Sequence, residues 1–123
     1  METISLKIPA SPVYLQIVRL VAAGLATRLK FTLDDIEDLK IAVDEMSAYF
    51  TGANGREGTI EIRFSVHGDS LEISGAGHFA SGEKVRTDLT EFSRMILETV
   101  ADSATLEQMD GTPTFSLVKS KAQ

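Results

Sequence analysis

The sequence has no cysteine, so disulfides and thiolate zinc sites are excluded. Histidine occurs only at His67 and His78, so a histidine-rich metal centre is not expected and no metal site is assigned. The lack of thiols fits a cytoplasmic protein. Basic charge is scarce: 12 Lys and Arg stand against 18 Asp and Glu, a net charge of −6. Such a chain has little to offer a phosphate backbone, which argues against nucleic acid as a partner. It suits a basic protein surface, because complementary charge speeds encounter. Long apolar runs are missing too. The longest, Ile17 to Ala26, is broken by Arg19 and is far too short to span a bilayer, so no membrane partner is expected. Met1 to Ser11 has one lysine and no apolar core of an export signal.

What is present is a chain of 123 residues, 43% hydrophobic and 24% charged, which fits one globular domain over 1–123. Ile4, Leu6 and Ile8 alternate with polar residues and predict a strand stopped by Pro9. Ser11-Pro12 reads as a helix cap, and Val13, Ile17, Leu20, Val21 and Leu25 as the apolar face of a helix running to Arg28. Thr32 with Asp34 and Asp35 starts a second helix that ends near Thr51-Gly52. Its acidic run, Asp34, Asp35, Glu37 and Asp38, reads as capping plus a solvated face. Ile60, Ile62, Phe64 and Val66, then Leu71 and Ile73, predict a hairpin turning at 67–70. That hairpin's second strand ends in the glycine turn Gly75-Ala-Gly77. Asp88 with Glu91 caps a third helix bearing Leu89, Phe92, Met95, Ile96 and Val100. Ala104, Leu106 and Met109 turn through Asp110-Gly-Thr-Pro113 into Phe115 and Leu117. The order is β-α-α-β-β-α-β-β. It predicts an α/β (α+β) two-layer sandwich, with about five strands in a mixed sheet and three helices on one face.

The second helix carries the chemical candidate. Ile36, Leu39, Val43, Met46 and Phe50 recur at helical spacing and form its buried stripe. Asp38, Ala42, Glu45 and Tyr49 form a line flanking that stripe. A carboxylate at the edge of a core can line a pocket, and this singles out Glu45. Glycines at the end of a strand let backbone approach a ligand closely, which adds Gly75 and Gly77.

In this order and spacing, Leu39-Lys-Ile-Ala-Val-Asp-Glu45 resembles the N-box helix of the bacterial anti-sigma regulatory factors. These are serine-protein kinases of the histidine kinase/Hsp90-like ATPase superfamily, with the Bergerat fold. Pro9-x-Ser-Pro12, Ile17-Val-Arg-Leu20, the segment Phe31 to Leu39 and the closing Met109-Asp-Gly-Thr-Pro-Thr-Phe-Ser-Leu117 resemble the same family. The resemblance implies that Glu45 stands where a general base activates a serine hydroxyl. Tyr49 stands where an asparagine holds Mg²⁺, which a phenol cannot do in the same way. Gly75 replaces the aspartate that reads adenine, Gly77 matches the next glycine, and Phe79 replaces another. The glycine-rich lid is absent from Thr87-Asp-Leu-Thr-Glu-Phe92, whose Asp88 and Glu91 would repel phosphate. Each lost polar contact costs about 1.5–3 kcal/mol.

The family reading thus implies a cytoplasmic, homodimeric regulator that sequesters a sigma factor and is released by an anti-anti-sigma partner of the STAS type. Its nucleotide site is degenerate and no cofactor is expected. The alternative it leaves open is an active serine-protein kinase that uses ATP and Mg²⁺ to phosphorylate the anti-anti-sigma protein.

Overall fold

The computed structural model describes residues 2–81 and 83–121. Its elements are β1 (Glu2–Pro9), a 3₁₀ turn (Pro12–Tyr14), α1 (Leu15–Arg28), α2 (Leu33–Thr51), β2 (Gly58–His67), β3 (Ser70–Phe79), α3 (Glu91–Val100), β4 (Ser103–Met109) and β5 (Thr112–Ser120). The strands form one sheet in the order β1-β2-β3-β5-β4.

Every pairing in that sheet is antiparallel, which corrects the expectation of a mixed sheet. Two helices separate β1 from β2. The chain therefore returns to the end of the sheet it left, and β2 runs back along β1. One helix separates β3 from β4, so these two strands do run the same way. β5 lies between them, and no parallel pair forms.

Register lays apolar residues in rows on the helix side. One row runs Leu6, Ile62, Gly75, Phe115, Leu106; the next runs Ile4, Phe64, Ile73, Leu117, Ala104. Alternate residues such as Glu61, Arg63, Ser74 and Ser116 face the other way and leave that side polar. The buried stripe of α2 is as the spacing predicts: Leu39, Val43, Met46 and Phe50 are fully buried. Thr32 caps α2, its hydroxyl accepting the Asp35 N–H at 3.1 Å.

Two helix faces differ from the sequence reading. α1 buries Leu15, Val18, Ala22 and Ala26, whereas Val13 is 78% and Leu20 61% exposed. Apolar residues surround this helix, so periodicity admits more than one face. The small side chains of Ala22 and Ala26 let it approach closely, and that decides the outcome. α3 buries Ser93, Leu97 and Val100 and leaves Phe92 and Met95 exposed. Its cap is Thr90 instead of Asp88, because the Thr90 hydroxyl accepts the Ser93 N–H at 3.0 Å.

The acidic start of α2 is also less solvated than expected. Lys119 on β5 lies 3.6 Å from both Asp35 and Asp38, and only 11% of its side chain is exposed.

Candidate functional site

Gly75 and Gly77 do not form a turn. They lie inside β3, where Gly75 pairs with Ile62 and Phe115, and Gly77 with Ile60. Aromatic rings explain why both are glycine. A Cβ built on Gly75 would stand 2.3 Å from Cε2 of Phe115, and one on Gly77 would stand 2.2 Å from Cε2 of Phe79. An aromatic laid over a strand glycine restores the burial that glycine forgoes. Phe50 of α2 closes the cluster from above. Its ring meets Phe115 edge-on at 5.2 Å and Phe79 at 6.1 Å. The strand floor at these two glycines is thus a packed aromatic layer.

Glu45 and Tyr49 lie one turn apart on the flank of α2 that faces α3. The Tyr49 hydroxyl is engaged by the start of α3. The Tyr49 hydroxyl donates to Ser93 Oγ at 2.8 Å and accepts the Thr90 N–H at 3.0 Å. Ser93 Oγ donates in turn to Glu45 Oε2 at 2.6 Å. Thr90 Oγ1 donates to Ser93 Oγ at 3.0 Å while accepting the Ser93 N–H. Six polar groups from α2 and the start of α3 are therefore mutually satisfied at Ser93, which is 5% exposed.

Burial raises the pKa of the Tyr49 phenol, but other effects outweigh it. The side chains of Ser93 and Thr90, the Thr90 N–H and the positive charge of Arg86 bring it below its ordinary 10.0.

Arg56 braces the same region. Its Nε donates to the Phe50 carbonyl at 3.0 Å and its Nη1 to the Lys84 carbonyl at 3.0 Å. A cation is thereby set at the carbonyl end of α2, where the helix dipole favours it. Among the described residues, no group of three or more His, Cys, Asp or Glu could hold a metal ion.

Sequence reasoning missed Ser93, Thr90, Phe115 and Arg56. The Thr90-x-x-Ser93 spacing is a cap signal that could have located the first two. A phenylalanine opposite a strand glycine becomes visible only once register is known.

Tyr49→Phe removes one hydroxyl and leaves the Thr90 N–H and Ser93 short of partners. We expect it to cost about 1–2 kcal/mol in urea denaturation, with the fold retained. An unchanged midpoint would mean that these bonds carry no net stability.

No protein-family model matches this chain. It is 42% identical over 77 residues to a Bacillus pumilus protein named serine-protein kinase RsbW, covering 58% of this chain and 48% of that one. It is 44% identical over 78 residues to the Bacillus subtilis protein of the same name, covering 58% and 47%. With a Bacillus cereus protein of that name it shares 43% over 82 residues, covering 65% and 51%. The chain therefore spans about half the length of the curated relatives it matches. In shape it matches the crystal structure of the RsbU and RsbW domains of a Mycobacterium tuberculosis protein. The TM-score is 0.69 over 98% of this chain and 32% of that one, at 15% identity, a likeness of fold.

Proposed function

We propose, from the premise that this chain belongs to the serine-protein kinase RsbW family of partner-switching regulators, that it works by protein binding with nucleotide binding weakened or lost. It sequesters a sigma factor as a cytoplasmic homodimer and gives it up to a STAS-type anti-anti-sigma partner. The observation that carries this reading is the Phe115 ring over Gly75, which stands where an adenine-reading aspartate would project. That ring takes the space an aspartate side chain would need, and the Tyr49 hydroxyl is engaged by Ser93 and Thr90, both of which support the reading. The partner surface is α1 with the 3₁₀ turn before it, where Val13, Ile17 and Leu20 are exposed apolar side chains. No helix among the described residues is long and apolar enough to cross a membrane.

The second reading is an active serine-protein kinase with ATP and Mg²⁺ in a divergent pocket. It draws on Glu45, which here accepts a hydrogen bond from a serine hydroxyl at 2.6 Å.

Thermal melting with millimolar Mg-ATP separates the two. A site filled at 100 times its Kd adds about 2.7 kcal/mol, which is several degrees for a domain of this size. We expect no shift. A shift of several degrees would favour the kinase reading. Affinity capture from the native cell tests the partners, and recovery of neither a sigma factor nor a STAS protein would overturn the binding reading.

A further inference from the structure

Ser93 has one proton and two lone pairs to offer. Tyr49 Oη, at 2.8 Å, and Thr90 Oγ1, at 3.0 Å, donate to its oxygen and fill both lone pairs. Its proton is therefore committed to Glu45 Oε2 at 2.6 Å, a short bond of the kind made to an ionised acceptor. A serine O–H pointed at a carboxylate is the arrangement from which a general base takes a proton. Here the serine belongs to the chain itself. It sits in the first turn of α3, is 5% exposed and is held from three sides, so nothing can reach it to react.

We propose that Ser93 is an internal occupant of Glu45: α3 supplies the hydroxyl that fills the carboxylate, which is then not free to take a proton from a hydroxyl offered by a partner. This rests on the reading above, that the chain exchanges partners without phosphoryl transfer. It names what keeps the carboxylate out of use. Tyr49 is the positioning residue: it lies one helical turn from Glu45, and its two bonds to the start of α3 hold Ser93 in place. The contact also ties the start of α3 to α2.

The test is carboxylate labelling of the purified full chain with a water-soluble carbodiimide and an amine, mapped by mass spectrometry. Glu37, whose side chain is 66% exposed, is the internal reference. In the parent chain Glu45 should label more slowly than Glu37. Ser93→Ala should raise Glu45 labelling roughly tenfold relative to Glu37, the scale of one lost hydrogen bond to a charged group. Ser93→Thr keeps a hydroxyl and should restore the protection. If Ser93→Ala fails to fold, Ser93→Cys, a weak donor of similar size, carries the same expectation of faster labelling.

Equal Glu45 labelling in the parent and the hydroxyl-free variants would overturn the proposal. So would a Ser93→Thr variant that labels as fast as Ser93→Ala. The outcome is independent of partner capture: absence of a sigma factor or STAS protein counts against the proposed function, and unchanged labelling counts against the occupant.

Discussion

Gly75→Asp, which restores the residue that the family resemblance places there, should destabilise this chain by about 4 kcal/mol or more. Two effects add. The first is steric: the new Cβ would lie 2.3 Å from the Phe115 ring, so the ring must leave its place between Phe50 and Leu106. Overpacking a core by this much costs about 1–3 kcal/mol. The second is electrostatic. The carboxylate would enter a layer lined by Ile62, Phe115 and Phe50, and a buried charge without a partner costs several kcal/mol. Domain stabilities are about 5–15 kcal/mol, so much of the fold's margin disappears. Urea denaturation followed by circular dichroism measures the loss. Gly75→Ala isolates the steric part and should cost about 1–3 kcal/mol. Trimming Phe115 in the same chain should recover part of the loss, because neighbouring substitutions couple by about 0.5–3 kcal/mol. A Gly75→Asp variant as stable as its parent would mean that the ring can swing away at little cost, and the aromatic floor would have to be reconsidered.

Phe50→Ala should cost about 3–5 kcal/mol, the range for deleting a large aromatic from a packed core. Phe50 is fully buried at the centre of the cluster, edge-on to both Phe79 and Phe115. Its removal opens a cavity above Gly75 and Gly77 that no neighbouring side chain can fill without leaving its own contacts. Edge-to-face pairs add about 0.5–1.5 kcal/mol beyond area burial, which puts this site toward the upper end. The denaturation midpoint should fall with an unchanged slope. A loss below about 1.5 kcal/mol would mean that Phe79 and Phe115 collapse onto the gap, so that the layer is soft and not a rigid floor.

How far the sequence carries depends on how far apart the deciding partners lie. The α2 stripe from Leu39 to Phe50, the strand alternation around Ile60 to Phe64 and the Thr32 cap are local patterns, and all three stand in the structure. The face of α1 was ambiguous because apolar residues surround it; only packing chooses Val18 and Ala22 over Ile17 and Leu20. Gly75 and Gly77 look like a turn in one dimension and prove to be strand interior. The residue that makes Gly75 necessary, Phe115, lies on another strand. The flank of α2 was legible, and Glu45 with Tyr49 was the pair it picked out. Their partner Ser93 was not, because nothing local says that α3 meets α2 through a polar seam.

The pairing of Lys119 with Asp35 and Asp38 alters how a partner would arrive. Net charge invites a picture of long-range attraction of a basic protein to the acidic start of α2. Two of the four acids there share the single charge of Lys119, and Glu37 lies 3.0 Å from Lys40, so about half of that acidic charge is offset. The field is thus about halved, and at physiological salt it is screened within about 8 Å. Salt-sensitive steering by the first two turns of α2 is reduced accordingly. Association governed by the exposed apolar residues of α1 would instead proceed at the slower rate of unsteered docking, about 10⁵–10⁶ M⁻¹s⁻¹, and change little with ionic strength.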